Sequence, residues 1–146
     1  MTKPARHSKD DYYEFFEITT RWMDNDIYGH VNNVVYYSYF DSIVNAFLIK
    51  RGELDIHQGA TIGLMVQSQC NYHASIAFPD KISGAFRVNR LGNTSVEYGV
   101  AIFAENQALA CAQGSLTHVF VDRKTQQPEP ISGKLREALT SALVKP

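Results

Sequence analysis

The sequence predicts an α+β domain in which a curved antiparallel sheet of about five strands wraps around one long helix. Three observations support this fold class. One segment repeats apolar residues at helical spacing, several segments alternate apolar and polar residues as strands do, and short polar turns separate those strands. Short turns join antiparallel strands, and a sheet with one apolar face needs a cover, for which a single helix is long enough.

The length of 146 residues suits one domain with a core of its own. We expect residues 1–10 to form a flexible polar tail and residues 11–146 to form that single domain. Aromatic residues make up 12% of the chain, which favours a large apolar interior or an apolar ligand.

Charge and hydropathy exclude several classes of protein. The net charge of -1 provides no basic excess for a nucleic-acid surface. The longest apolar stretch, residues 34–49, contains Asp41 and Asn45 and falls short of the roughly 18 apolar residues of a membrane span. The N-terminus is charged and lacks the apolar segment of a secretory signal, so we expect no membrane partner and a cytoplasmic location. Cys70 and Cys111 lack CxxC spacing, so two buried free thiols are expected, with a disulfide as the alternative.

The first predicted elements are a strand and a helix. Residues 12–21 are rich in aromatic and β-branched side chains and predict the strand. The helix runs from Asn33 to about Lys50, because apolar residues recur there every three or four positions. Its stripe consists of Tyr36, Tyr37, Phe40, Ile43, Val44, Phe47 and Leu48. Asn32 or Asn33 can cap its start, and "KRG" at residues 50–52 ends it with two cations and a glycine.

The rest of the chain predicts mostly β structure. Residues 61–76 alternate as one long half-buried strand, which would span about 50 Å if flat and must therefore bend strongly or break. Its apolar face is expected to hold Ile62, Leu64, Val66, Cys70, Tyr72, Ala74 and Ile76. Three more strands are predicted in residues 81–88, 95–103 and 108–121, followed by a short terminal helix in residues 133–143.

Common catalytic signatures are missing from the sequence. It contains no G-x-S-x-G nucleophile elbow, no GxGxxG and no P-loop. The five histidines, His7, His30, His57, His73 and His118, have no metal-ligand spacing. We therefore expect neither a serine triad nor a metal, and no cofactor.

The segment "DNDIYGHVNN", residues 24–33, is the candidate site, because it lies directly before the predicted helix. A helix N-terminus carries unpaired N–H groups and partial positive charge, which can polarise a carbonyl oxygen. Gly29 lets a ligand approach the backbone, and the Asp26 carboxylate can attack that carbonyl or deprotonate a water that does. The segment is therefore a plausible acyl-transfer site. The alternative is that its Asp, Asn and Gly residues only form a turn and cap the helix.

Neighbouring residues also have two interpretations. Asp24 is expected to be a structural acid that pairs with Arg21, and His30 taken alone is a surface or cap residue. Cys70 is expected in the core. The Tyr-rich stretch at residues 34–40 suits either core packing or an interface.

The segment "RWMDNDIYGHVNNVVYYSYFD" resembles the R-x-x-D-x-D-x-x-G-H-V-N-N-x-x-Y pattern of hotdog-fold acyl-CoA thioesterases of the 4-hydroxybenzoyl-CoA thioesterase-like group. The later stretches "RLGNTSVEYGVAIF" and "DRKTQQPEPI" are similar to that family as well, so the resemblance covers residues 12–131. It implies a hotdog fold that hydrolyses an acyl-CoA to a free acid and CoA. It also implies homodimers whose sheets join, often paired into homotetramers, with active sites at the subunit interface.

The resemblance assigns roles to individual residues. The family's acidic catalyst falls on Asp26, and the amide that binds the thioester carbonyl falls near Gly29, His30 or Val31. Plant acyl-carrier-protein thioesterases share a D-x-x-x-H-V-N-N segment in which the position of His30 is functional. Their Asn between acid and histidine is Tyr28 here, which argues against a complete Asp–Asn–His network. Substrate contacts are expected from Val31, Asn32 and Tyr36, and along the pantetheine path from Arg90, Asn93 and Ser95, with Arg90 near a phosphate.

Two other functions remain open at this stage. One is a non-catalytic acyl-CoA-binding hotdog protein, and the other is a hydratase or dehydratase of acyl thioesters. The sequence also leaves open the acyl group, the choice between CoA and a carrier protein, and whether Asp26 is a nucleophile or a general base.

Overall fold

The computed structural model describes residues 5–145 and confirms the hotdog fold predicted from the sequence. Five antiparallel strands form one sheet in the order β1-β3-β4-β5-β2, and the long helix α1 packs against β3 and β4. The elements are β1 (Glu14–Thr19), α1 (Asn33–Lys50), β2 (Thr61–Tyr72), β3 (Lys81–Leu91), β4 (Ser95–Ala104), β5 (Ala112–Asp122) and α2 (Gly133–Ser141). Short 3-10 turns occur at Lys9–Asp11 and Trp22–Asp24.

The segment predicted to be an N-terminal tail, residues 1–10, falls partly outside the described residues, as does position 146 of the predicted domain. The described part, residues 5–10, lies beside the start of β5. The guanidinium of Arg6 donates to the carbonyl oxygen of Ala110 at 2.9 Å, and the His7 backbone N–H donates to the Gln113 side chain at 2.8 Å.

Helix α1 has the predicted bounds, because its capping and its apolar stripe agree. The side-chain oxygen of Asn32 accepts a hydrogen bond from the Val34 N–H at 3.0 Å, which confirms Asn32 as the N-cap. The buried stripe consists of Tyr36, Tyr39, Phe40, Ile43, Val44, Phe47 and Leu48. Tyr39 therefore takes the buried place predicted for Tyr37, which is 37% exposed.

The core lies between this helix and one face of the sheet. The predicted apolar face of β4 is confirmed, and its side chains are fully buried at Val96, Tyr98, Val100 and Ile102. The rings of Phe47 and Phe86 stack with centroids 4.1 Å apart, which joins α1 to β3. Burial of each large apolar side chain stabilises the fold by about 1.5–3 kcal/mol.

The prediction of a single apolar face for β2 is wrong, because a β-bulge interrupts the alternation between Met65 and Gln67. Leu64 lies opposite Val119, whereas Cys70 lies opposite Gly114. Those two β5 residues are an odd number of positions apart and point to opposite faces, so Leu64 and Cys70 do as well. The strand ends at Tyr72, so the segment predicted over residues 61–76 breaks before its last four residues, which is one of the two predicted outcomes.

Strand β2 is also an edge strand, with β5 on one side and no strand on the other among the described residues. Residues 64–69 are exposed, and the exposed fractions of Leu64, Met65 and Val66 are 39%, 41% and 57%. The sheet therefore presents a twelve-residue free edge with apolar side chains at its centre.

Cys70 and Cys111 are free thiols, as predicted, but only Cys111 is buried, and Cys70 is half-buried where it packs against the core. Within residues 5–145, no helix is long and apolar enough to cross a membrane.

Candidate functional site

Asp24 anchors the loop that precedes α1. Its carboxylate is fully buried and accepts hydrogen bonds from the Tyr39 hydroxyl at 2.6 Å and from the Arg21 Nε at 3.0 Å and backbone N–H at 2.9 Å. Burial raises the pKa of Asp24, but the hydrogen bonds from Tyr39 and Arg21 outweigh it, so the net pKa lies below its ordinary value. Asp24 is therefore the structural acid paired with Arg21 that the sequence predicted.

Backbone hydrogen bonds close the loop between Asp24 and the helix. The Asp26 N–H donates to the His30 carbonyl at 2.9 Å, and the Gly29 N–H donates to the Asp26 carbonyl at 3.0 Å. Gly29 adopts a φ of 82°, a left-handed conformation that a residue with a Cβ adopts only at a cost of about 1–2 kcal/mol. The space where its Cβ would lie is empty within 4 Å, so the backbone conformation is what requires glycine here.

Asp26 lies in a cleft between this loop and the end of β2. One oxygen of its half-buried carboxylate accepts a hydrogen bond from the Tyr28 N–H at 2.8 Å, and the other has no protein partner within the described residues. The cleft has a volume of about 490 Å³. Its lining consists of Asp26, Tyr28, His30, Val31, Asn33, Tyr36, Tyr72, His73, Ala74 and Ser75.

The peptide N–H groups around this cleft are not equally available. Gly29 donates to the Asp26 carbonyl, and the Val31 N–H donates to the Ile76 carbonyl at 2.8 Å. In the part of the chain that the structure describes, the N–H groups of His30 and Asn33 have no acceptor. Among the three amides expected to bind a carbonyl, only that of His30 is therefore free, and Asn33, in the first turn of α1, supplies a second donor.

The end of β2 holds the opposite wall in place. The Tyr72 hydroxyl donates to the Asn33 carbonyl at 3.0 Å, and the rings of Tyr36 and Tyr72 meet edge to face at 5.1 Å. The backbone N–H groups of His73 and Ala74 both donate to the Cys111 carbonyl, at 2.8 and 3.0 Å. Burial raises the pKa of Tyr36 to about 12, so its phenol stays protonated at neutral pH.

The expected substrate-contacting residues divide into two groups. Val31 and Tyr36 line the cleft, whereas the Asn32 side chain is engaged as the helix cap. Arg90, Asn93 and Ser95 lie at the β3–β4 turn. Because β3 has eleven residues and begins near the cleft, that turn is roughly 30 Å away in the same chain.

Sequence reasoning missed the cleft residues Tyr72, His73 and Ser75, and it gave Asn33 only a capping role. It places Tyr72 on the apolar face of a strand and not at a site. Nothing in the local sequence signals that the end of β2 meets the start of α1, since that contact depends on the fold.

The arrangement can support acyl transfer. A carboxylate with one open oxygen can deliver a nucleophile, and two N–H donors at a helix start can bind a carbonyl oxygen as it becomes negative. Within residues 5–145, no three His, Cys, Asp or Glu side chains are grouped as metal ligands.

Comparisons with known proteins identify the family to which the chain is similar. A family model for the thioesterase-like superfamily matches residues 20–139. The PA5185 protein from Pseudomonas aeruginosa strain PAO1 is 52% identical, with a TM-score of 0.93 over 95% of this chain and 97% of that protein. Slr0204, a 1,4-dihydroxy-2-naphthoyl-CoA thioesterase from Synechocystis, is 14% identical and has a TM-score of 0.78 over 86% of this chain and 94% of its own, which shows the fold alone. The YsmA protein of Bacillus subtilis is 20% identical over 137 residues, covering 93% of this chain and 91% of YsmA.

Proposed function

This chain belongs to the thioesterase-like superfamily, and on that premise we propose that it hydrolyses an acyl-CoA to a free carboxylic acid and CoA at the cleft around Asp26. Thioester hydrolysis is the activity of the family. The observation that carries the proposal is the open carboxylate oxygen of Asp26 in a cleft that is also lined by His30 and Asn33, whose backbone N–H groups have no acceptor within the described residues.

The first step is the polarisation of the thioester carbonyl. Its oxygen accepts hydrogen bonds from the free N–H groups of His30 and Asn33, which lie where the dipole of α1 is positive. Negative charge develops on this oxygen in the transition state, so the donors bind the transition state more strongly than the substrate.

The second step uses Asp26 in one of two ways. As a general base, its carboxylate takes a proton from a water whose oxygen attacks the carbonyl carbon, and the proton passes to the departing CoA thiolate as the C–S bond breaks. As a nucleophile, the carboxylate attacks the carbon itself and expels the CoA thiolate as the C–S bond breaks. Water then hydrolyses the resulting anhydride, which releases the acid, restores the Asp26 carboxylate and supplies a proton for the thiolate. The Tyr28 N–H orients the carboxylate in both routes by holding its other oxygen. The His30 side chain is exposed, and we propose that it assists Asp26 in a secondary role.

We propose that the working form is a homodimer joined along β2, or a homotetramer of such dimers. The free edge of β2 offers unpaired backbone groups and apolar side chains at Leu64, Met65 and Val66. On the neighbouring face of α1, Val34 and Tyr37 are exposed as well. Pairing two copies along β2 gives hydrogen-bond partners to the backbone groups of the edge and covers these apolar side chains. It also places each cleft at the interface.

The proposed dimer would also bring the residues of the β3–β4 turn close to the cleft of the other copy. Thr94 accepts a hydrogen bond from the Phe120 N–H, so the β3–β4 turn lies at the end of the sheet where β2 begins. Antiparallel pairing of β2 brings that end of one copy to the cleft end of the other. Arg90, Asn93 and Ser95 of the second copy then flank the outward path of the pantetheine arm, about three strand spacings or roughly 14 Å away. We propose a cytoplasmic location for the protein, because the free thiols of Cys70 and Cys111 stay reduced there.

Asp26→Asn tests the catalytic proposal, because it keeps the shape of the side chain and removes the base. Release of free CoA thiol from a panel of acyl-CoAs should fall by about 10²–10⁴-fold. Asp10→Asn is the matched control, since Asp10 is an exposed carboxylate outside the cleft, and it should leave turnover unchanged. Normal turnover in Asp26→Asn would remove Asp26 from its role.

A single turnover in ¹⁸O-labelled water separates the two routes. Label in the Asp26 carboxylate indicates the nucleophilic route, because only an anhydride that water opens at the Asp26 carbonyl carbon puts label there. The general-base route places label only in the acid product. Reaction with enoyl-CoA in the same panel detects a hydratase, and binding without thiol release detects a non-catalytic carrier.

A further inference from the structure

We infer that each cleft is completed by the loop Asp55–Ala60 of the second copy, which brings His57 and Gln58 to the substrate. This inference rests on the proposed dimer and on the proposed role of the Asp26 cleft. It goes beyond pairing along β2, because it says which side chains of one copy reach the cleft of the other.

The register of the edge strand places the loop. The exposed stretch of β2, residues 64–69, has its midpoint between Val66 and Gln67. The whole strand, Thr61–Tyr72, has the same midpoint. A twofold axis at this point pairs the strand with itself in antiparallel orientation and sets Thr61 of the second copy beside Tyr72.

The cleft is open on the side that the loop would reach. Directly after Tyr72, the chain forms the cleft wall at His73, Ala74 and Ser75, and the last two are exposed. In the second copy, the residues directly before Thr61 continue past Tyr72 along this wall. They are Ala60, Gly59 and Gln58, the end of the Asp55–Ala60 loop.

The loop is held in shape before any partner arrives. The Asp55 carboxylate accepts hydrogen bonds from the backbone N–H groups of His57 and Gln58, both at 3.0 Å. The Arg123 guanidinium donates to the carbonyls of Ile56 and Gly59, both at 2.7 Å. A rigid loop loses little conformational entropy when it contacts a ligand.

The side chains that this loop presents are not used elsewhere. His57 and Gln58 are exposed, and neither side chain makes a hydrogen bond within the described residues. The Gln58 amide offers donors and an acceptor that match the amide groups of a pantetheine arm. The loop therefore contributes polar contacts opposite the carboxylate of Asp26.

The first test combines His57→Ala with Gln58→Ala. The loss of two hydrogen bonds should raise KM for an acyl-CoA about thirtyfold, while kcat changes little, because the carboxylate and the helix amides are untouched. Gln107→Ala, in the exposed β4–β5 turn, is the matched control and should leave KM unchanged. An unchanged KM in the double variant overturns the inference.

The second test shows whether the loop acts on the other subunit. A heterodimer of an Asp26→Asn chain and a chain carrying His57→Ala with Gln58→Ala is purified through two different affinity tags. If the loop acts across the interface, one cleft carries both defects and the other carries none. Activity at low substrate should then reach about half that of the wild type.

If the loop serves its own cleft, both clefts of the heterodimer are defective and activity stays near the level of the impaired parents. That result, or failure to recover any heterodimer, overturns the inference while the loss of activity in Asp26→Asn still supports the proposed function. Normal activity of the Asp26→Asn homodimer instead contradicts the proposed function itself.

Discussion

Asp24 and Asp26 show how two carboxylates of one short loop acquire different roles. Asp24 is fully buried and satisfied by Tyr39 and Arg21, whereas Asp26 keeps one oxygen open to the cleft. The sequence motif placed both acids before the helix, and the pairing of Asp24 with Arg21 could be predicted from their spacing. The free amide of Asn33 could not, because its availability depends on which carbonyls the Gly29 and Val31 amides reach in the folded loop.

Asp24→Asn should destabilise the protein by about 2–3 kcal/mol, because it removes a buried charge that accepts three hydrogen bonds. Since the folded-state pKa of Asp24 is lowered, its contribution to stability is present above its ordinary value and is lost as the pH falls through the lowered pKa. Urea unfolding at neutral pH and in acid measures both effects. Asp26→Asn serves as the comparison, since its amide oxygen can still accept the exposed Tyr28 N–H, and it should change the free energy of unfolding by less than about 1 kcal/mol. Equal losses in the two variants would contradict the separation of roles.

His118 should make the protein less stable as the pH falls below 6.5. Burial lowers its pKa from the ordinary value of 6.5, and nearby Asp41 only partly offsets this. Its Nδ1 lies 3.0 Å from the Tyr98 hydroxyl in the core. The unfolded chain therefore binds a proton at a higher pH than the folded chain, and stability present above pH 6.5 is lost as the pH falls toward the folded-state pKa. Unfolding free energies from pH 7.5 to 5 should decline less steeply in His118→Gln, and identical slopes would exclude His118 as the cause.

Among the elements, α1 was predictable and β2 only in part. Helix α1 follows local rules, since its cap, its stripe and its closing cations all lie within the segment itself. Strand β2 was predicted in position, but the faces of its side chains changed at the bulge between Met65 and Gln67. A bulge is selected by how a strand fits its neighbour, here β5, and alternation along one segment carries no information about that fit.

Asn32→Ala should lower the stability of α1 at the end that contributes to the cleft. The variant leaves the Val34 N–H without its acceptor, and the loss of such a cap costs about 1 kcal/mol. Asn32→Asp retains a capping oxygen and adds negative charge at the positive end of the helix, so its melting temperature should match or exceed that of the wild type. Thermal unfolding followed by circular dichroism distinguishes the two variants, and equal losses would argue against the capping role.

At the scale of the whole molecule, the two edges of the sheet are unequal. Strand β1 is a six-residue edge, whereas β2 leaves twelve residues with exposed apolar side chains at their centre. Strand order could not be predicted from the sequence. It depends on how the chain crosses, through α1, from β1 at one edge of the sheet to β2 at the other. That crossing puts the end of β2 beside the start of α1 and makes the long free edge a neighbour of the cleft.

Val66→Lys should therefore convert the proposed dimer into monomers and lower activity with it. In the proposed register, a lysine at position 66 pairs with Gln67 of the second copy and lies diagonal to the second copy's own lysine, so two like charges come close together in the interface. Because Val66 is 57% exposed in the single chain, the substitution should leave the fold and its circular dichroism spectrum intact. Thr19→Lys makes the same change of charge on the exposed β1 edge and should alter neither mass nor activity. Sedimentation equilibrium decides the matter, since a Val66→Lys protein that remains dimeric, or a wild-type protein that is active as a monomer, would show that β2 is not the joining edge.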